Sequence, residues 1–449
     1  MRALRTAQSS IFDRFAAHDL GRELGAMSAW LDENRQVLDW VATDLHRHGV
    51  KPTGRAGLPV EAVLRCALLK QHRQLSYEEL AFYLLDSASF QAFARLPLHW
   101  VPKKSALQQA VAAINAATWE RIHRVLLGSA RAEGVENAQR VRFDSTVTDS
   151  PIHAPSDSSL LWDGMRVMVR LLEQARELAG TSVIEFVNHR RMAKKRTRAI
   201  RYTRGAERRL PLYQDLLAVT RITLGYLQQA RLPLTLAGVD FMELTVWTAQ
   251  VEYYQPLIER VISQTERRVF HGETVPATEK VVSLFEPHTD IIVKGRREVQ
   301  YGHKLNLSSG RSGLILDVVI EAGNPADAAR FVPMLKRHIE RHGRAPRQLA
   351  SDGGYASSEN LWAAKALGVE DVAFHKKRNL TVEDMVKSHW VYRQLRNFRA
   401  GIESGISCLK RAYGLARCTW KGLDHFRAYV WSSVVAYNLA LFARARLQI

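Results

Sequence analysis

Along Gln139-Arg140-Val141-Arg142-Phe143-Asp144-Ser145-Thr146-Val147, Val141, Phe143, Ser145 and Val147 alternate with Arg140, Arg142, Asp144 and Thr146. A period of two is what a strand imposes on its side chains, so this stretch predicts a strand with Asp144 on its polar side. On the N-terminal side, residues 1–135 read as short helices with apolar residues three and four apart. Ser76-Tyr77-Glu78-Glu79 has the form of a capping box ahead of Leu80, Leu84 and Leu85. A second helix should begin near Ser87 or Ser89 and bury Phe90, Phe93 and Leu96. Compact helical units of this kind can present a helix to DNA or simply pack as a small domain.

Beyond the strand the pattern returns to helix from about Asp163 to Thr278, with amphipathic stretches at Val167 to Ala179 and Leu212 to Ala230. Between these stretches lies a basic run that includes Arg190, Arg191, Lys194, Lys195, Arg196 and Arg198. Such a block is either a solvated face or an interaction segment, and here a nucleic-acid contact is the favoured reading. Val299 to Leu307 and Leu314 to Glu321 then form two alternating runs joined by a Ser/Gly-rich loop, the pattern of an antiparallel hairpin. Asn324-Pro325 opens a helix with Phe331, Leu335 and Ile339. A short strand follows at Gln348 to Ser351, then a helix at Ser357 to Leu367, a strand at Val372 to Phe374 and a long helix from about Val386. The order is that of an α/β fold whose single mixed sheet is interrupted by a long helical block.

Composition narrows the partner. The 449 residues are 46% hydrophobic, enough for two or three packed domains, and 64 Lys and Arg against 45 Asp and Glu give a net charge of +19. A polyanion, nucleic acid ahead of a membrane surface, is the first suspect, with solubility as the plain alternative. The three cysteines have no spacing that could hold zinc. The first twenty residues are too charged for an export signal, and Ala428 to Phe442 is too short and polar to span a bilayer, so a cytosolic protein is expected.

The chemistry-bearing candidates are carboxylates. Asp144 on the first strand and Asp352 at the carboxyl end of a later one can share a divalent ion if their strands are neighbours about 4.8 Å apart. Asp352-Gly353 is also a common turn. On the last long helix, at about 100° per residue, Arg396 falls near +20°, Arg399 near −40° and Lys410 near −20° from Glu403, one narrow polar stripe. Ile402, Ile406, Leu409 and Tyr413 form the buried face beside it. Glu403 is therefore either a metal ligand at the edge of the core or half of an ordinary Arg399/Glu403 pair. Gly401 and Gly405 weaken such a helix unless close packing requires them. Asp149 and Asp317 are read as structural.

Asp144-Ser145-Thr146, Ser351-Asp352-Gly353-Gly354-Tyr355 and Arg399-x3-Glu403-x6-Lys410 together resemble the DDE transposases of bacterial insertion sequences. Asp157-Ser158-Ser159-Leu160-Leu161-Trp162-Asp163 and Tyr301-Gly302-His303-Lys304 look like further segments of that family, extending the likeness over most of the chain after about residue 55. The ISNCY-type branch is a candidate placement within it. Many members have Tyr three residues before the Arg, where this chain has Arg396. The resemblance implies a ribonuclease H-like catalytic fold with a helical N-terminal domain and a helical insertion. It also implies that Asp144, Asp352 and Glu403 hold two divalent ions, Mg²⁺ or Mn²⁺, since hard carboxylate oxygens suit these better than zinc. Arg396, Arg399 and Lys410 would then contact DNA, as would the basic run. The implied partners are double-stranded terminal inverted repeats and target DNA, bound by a homodimer or higher oligomer near the nucleoid. The expected division is 1–135 for the N-terminal domain, 136–165 and 286–449 for the catalytic domain, and 166–285 for the insertion. A metal-dependent nuclease of the same fold and a non-catalytic DNA-binding derivative are the alternatives.

Overall fold

The structure, a computed structural model, describes residues 19–47, 57–96, 100–294, 298–376 and 379–448. They divide into two compact units, one formed by the chain up to Pro151 together with the chain from Gly302, the other by Ile152–Tyr301.

Among the described residues, the first unit has seven helices ahead of the sheet: α1 (Asp19–Glu33), α2 (Gln36–Arg47), α3 (Val60–His72), α4 (Tyr77–Asp86), α5 (Ala88–Ala94), α6 (Lys104–Ala112) and α7 (Ala116–Ala132). Their starts follow local chemistry. The Glu79 amide donates to Ser76 Oγ at 3.1 Å while the Ser76 amide donates to Glu79 Oε2 at 2.7 Å, closing the expected capping box on α4. Ser87 caps α5, whose Phe90 and Phe93 are buried along with the following Leu96.

Strand β1 (Arg140–Asp149) follows, and the second unit then holds α8 (Asp157–Ala179), α9 (Arg190–Tyr202), α10 (Ala206–Gln229), α11 (Arg231–Leu236), α12 (Phe241–Val269) and β2 (Asp290–Lys294). This unit closes its own core, built from Leu160, Met168, Leu172, Leu216, Trp247 and Ile258 among others. It begins at Ile152, earlier than the expected insertion at 166, because α8 belongs to that core from its first turn. Strand β2 carries too short an alternation to have been read from the sequence.

The remaining elements are β3 (Glu298–Ser309), β4 (Ile315–Ile320), α13 (Asp327–His342), β5 (Gln348–Ser351), α14 (Ser358–Ala366), β6 (Asp371–Phe374), α15 (Val382–Met385), α16 (His389–Ala412) and α17 (Leu423–Leu447). The sheet has six strands ordered β2-β3-β1-β5-β6, with β4 paired to β3. β3 runs antiparallel to β1 and to β4, whereas β5 is parallel to β1 and β6 parallel to β5. This is a mixed sheet flanked by helices, as a ribonuclease H-like fold requires.

Helices cover both faces of the sheet, so Arg142, Thr146 and Thr148 on the nominally polar side of β1 are buried as well. Val141 and Phe143 pack with Phe331, Leu349 and Phe374 on one face. On the other, the N-terminal helices share a single core with β3, β4 and α17. The helices before β1 therefore do not close a core of their own. The apolar stretch at Ala428 to Phe442 is the buried heart of α17, and among the described residues no helix is long and apolar enough to cross a membrane. Its Asn438 side chain accepts from the Ile315 amide at 2.9 Å and donates to the Ile315 carbonyl at 2.8 Å, satisfying backbone groups of β4 inside the core.

Candidate active site

Parallel pairing sets the first two carboxylates side by side. Phe143 of β1 lies opposite Ser351 of β5, so Asp144 and Asp352 are the next residues along two neighbouring strands. Asp352 leads into a single 3-10 turn, Gly353–Tyr355, and the two glycines serve close packing there rather than an unusual backbone angle. A Cβ on Gly353 would stand 2.8 Å from Lys376 Cβ, and one on Gly354 would stand 2.8 Å from Asp327 Oδ2.

The third carboxylate comes from α16, which Ser388 caps and which buries Val391, Tyr392, Leu395, Ile402 and Leu409 against the unit. Arg142 fixes this helix to β1. Its guanidinium donates to the Phe398 carbonyl at 2.6 Å and to Ser309 Oγ at 2.7 Å, and it lies 4.6 Å from the Phe398 ring centroid. Nothing in the alternation of β1 distinguishes this arginine from its neighbours, so its role was not legible in the sequence. The close approach depends on Gly401, where a Cβ would stand 2.3 Å from Arg142 Nη1. Gly401→Ala should therefore cost about 1–3 kcal/mol in overpacking despite its better helix propensity. A urea midpoint equal to wild type would show that α16 has room to move.

The resulting site is centred on Arg399. Its guanidinium donates to Asp144 Oδ2 at 3.1 Å and to Glu403 Oε1 at 2.6 Å, and it stands 3.6 Å from Asp352 Oδ1. Residues from β1, from the end of β5 and from α16 thus converge on one cation. The Arg399 side chain is 11% exposed and that of Asp144 14%, whereas Asp352 is 42% and Glu403 61% exposed. The site therefore grades from a buried floor to an open rim. Burial pushes the Asp144 carboxyl above its ordinary range, opposed by Arg399 and by the Ser145 amide that donates to Asp144 Oδ1 at 2.8 Å.

The stripe on α16 divides between core and solvent. Arg399 turns inward, which corrects its expected place as an exposed cation; Arg396 is exposed over the Tyr392 ring, and Lys410 is half-buried beside a separate cavity with Gln74 and Tyr429. A side chain can lean either way at such a boundary, and three carboxylates draw the guanidinium in. Asp317 is buried and ion-paired to Arg337 and Arg341, as a structural residue would be. The Tyr301-Gly302-His303-Lys304 segment lies along β3, where Lys304 pairs with Asp327 at 2.6 Å.

Among the described residues no group of three His, Cys, Asp or Glu stands close enough to hold an ion as it is. The donor set nonetheless suits a hard cation. Three carboxylates surround one guanidinium, so the cluster carries more negative charge than its single cation balances.

In the second unit, α9 carries the basic run. Arg190 is paired with Glu173 at 3.4 Å and Arg196 with Asp215 at 2.8 Å, while Arg191, Lys194, Lys195 and Arg198 are exposed.

Comparison with known families supplies the context for this geometry. A transposase DDE domain model matches residues 289–439, a span that includes Asp352 and Glu403 and begins after Asp144. A second model, the transposase domain DUF772, matches residues 20–111. The chain between these spans falls outside both, so the matched likeness is narrower than the motifs suggested. No curated protein and no solved structure gives a match. With its N-terminal helices matched by one transposase domain and the later part of its sheet by another, the two matches together indicate an insertion-sequence DDE transposase.

Proposed function

We propose that the protein cuts DNA at the ends of its own element and joins those ends to target DNA, with Asp144, Asp352 and Glu403 as the ligands of two divalent ions, Mg²⁺ or Mn²⁺. The observation that carries this reading is the convergence of the three carboxylates on Arg399. Asp144, the most enclosed of the three, would hold the ions from the floor of the site. When bound, two such ions assist an in-line displacement at phosphorus by activating the attacking oxygen and stabilising the leaving one. Water attacks the phosphodiester at the element's end, breaking its bond to the 3′ oxygen; the freed 3′-hydroxyl then attacks a target phosphodiester, whose bond to the target strand's own 3′ oxygen breaks, leaving a 3′-hydroxyl on that strand.

Arg399 holds the three carboxylates together, and an ion held by the same carboxylates would free its guanidinium to meet a phosphate. Arg396 and Lys410 reach DNA from the same helix, and the exposed cations of α9 bind it within the second unit. Arg190 and Arg196 of α9 join them only on release from Glu173 and Asp215. The protein acts on inverted terminal repeats as a homodimer or larger assembly, within the cytoplasm at the nucleoid. By role, catalysis falls to residues 136–165 and 286–449, with 1–135 as the N-terminal part and 166–285 as the insertion, a division that cuts across the two compact units.

The test uses purified protein and a labelled duplex carrying the repeat that flanks its own coding sequence. Cleavage and joining should require Mg²⁺ or Mn²⁺, while Ca²⁺ supports binding far better than chemistry because its coordination is looser. Cleavage without joining would select the nuclease reading. Binding with no metal-dependent cleavage would select the non-catalytic one.

A further inference from the structure

Helix α9 buries Ala193 and Ile200 and half-buries Arg196, Thr197 and Ala199, leaving the other eight of its thirteen residues exposed on the opposite side. At about 100° per residue, Arg191, Lys195, Arg198 and Tyr202 fall within about 60° of one another, on the meridian opposite that buried pair. All four are exposed, Tyr202 to 72%. Lys194 and Arg201 lie on one flank of this ridge. Exposed Met192 lies on the other, with exposed Val187 just ahead of the helix.

The cations of α9 thus separate into two groups. Arg190 and Arg196 sit at the borders of the helix and are tied to Glu173 of α8 and Asp215 of α10. The nearby acids Glu185 and Glu207 are exposed and pair with none of the ridge cations. Among the described residues, the side chains of Arg191, Lys194, Lys195, Arg198 and Arg201 form no ion pair and no hydrogen bond. Pairing at the borders fixes the helix on its neighbours and leaves the outermost line of cations available.

A surface that only neutralises phosphates needs charge and nothing else. Here the charges are interleaved with exposed Met192, Val187 and Tyr202, whose apolar surface gains nothing from a phosphate. The floor of the major groove offers both partners: guanine O6 and N7 for arginine or lysine, and the thymine methyl for an apolar side chain. A helix about 10–12 Å across fits a groove about 12 Å wide. We infer that α9 is a base-reading helix, placing Arg191, Lys195 and Arg198 on base edges in the major groove of double-stranded DNA while Lys194 and Arg201 hold phosphates. This rests on the transposase reading above and deepens it, since it names the element that distinguishes the protein's own ends from other DNA.

Arginine and lysine carry the same charge, but only the planar guanidinium makes the bidentate guanine contact in that fixed geometry. The full-length double variant R191K/R198K therefore separates base reading from charge. Binding would be measured by fluorescence anisotropy over a series of salt concentrations. The two probes are a duplex with the protein's flanking repeat and a shuffled duplex of equal length and composition. The ratio of the two affinities should fall roughly tenfold or more, with binding to shuffled DNA and its salt slope unchanged. The flank variant K194Q/R201Q should instead weaken both duplexes equally and lower the salt slope by about 0.9 for each lost contact. An unchanged ratio in R191K/R198K, or a wild-type protein with no preference for its own repeat, overturns the inference. A variant that no longer prefers its own repeat over the shuffled duplex but still cleaves that repeat with Mg²⁺ leaves the transposase reading standing. Absence of any metal-dependent cleavage by wild type sinks that reading itself.

Discussion

Asp144→Asn, Asp352→Asn and Glu403→Gln each lower cleavage and joining by orders of magnitude while leaving DNA binding close to wild type. Each change keeps the size of the side chain and removes a charge that a hard cation needs. Binding survives because it depends on the cations of the chain, none of which is altered. Stability provides a second readout at Asp144. Burial raises its pKa in the fold, so proton uptake favours the folded chain, and the ionised form costs stability at neutral pH. Asp144→Asn should thus melt higher than wild type at pH 7 in the absence of metal. The difference should shrink as the pH falls through the folded pKa and wild type takes up its proton. A lower melting temperature for Asp144→Asn at pH 7 would contradict this account of the site. Asp149→Asn is the activity control. Asp317 is a poorer control, because its buried carboxylate pairs with Arg337 and Arg341, two arginines that Glu120 also holds, so its loss would disturb packing as well as charge.

Arg399→Ala has the second large effect, and its direction depends on metal. Removing the guanidinium leaves the enclosed Asp144 carboxylate beside two others with no cation among them. Breaking such a pair costs on the order of 3 kcal/mol, read as a lowered urea midpoint in EDTA. Because the same carboxylates are the proposed ligands, Mg²⁺ should stabilise the variant more than it stabilises wild type, where the ion must first displace Arg399. Equal midpoints for the two proteins in EDTA would show that Arg399 does not hold the site together. Equal shifts on adding Mg²⁺ would show that the ion binds elsewhere.

Much of this arrangement was legible in the sequence because it follows from short-range rules. The alternation in Val141, Phe143, Ser145 and Val147 located β1, the Ser76/Glu79 pair located α4, and the Ser/Gly loop after Ser308 located the β3–β4 hairpin. What remained hidden depends on contacts distant in the chain. Helical arithmetic placed Arg399 on an exposed stripe with Glu403, but it carries no information about Asp144, 255 positions away, which draws the guanidinium inward. Arg142 read as one more polar strand residue until α16 was laid across it with Gly401 at the crossing. The N-terminal helices looked like a separate domain because their periodicity is complete, yet the apolar face that closes their core comes from α17. In α9 the run of basic residues was plain, whereas its division into paired borders and an open ridge needed the positions of Glu173 and Asp215.

The central claim is that Asp144, Asp352 and Glu403 act as one metal site, and Glu403 tests it most directly, because it is the most exposed of the three and its change disturbs the fold least. The measurement is cleavage of labelled terminal-repeat DNA by Glu403→Gln beside wild type in Mg²⁺ and in Mn²⁺, with binding followed in Ca²⁺. Binding should match wild type while cleavage falls by orders of magnitude in both metals. Near-normal metal-dependent cleavage by Glu403→Gln would contradict the claim.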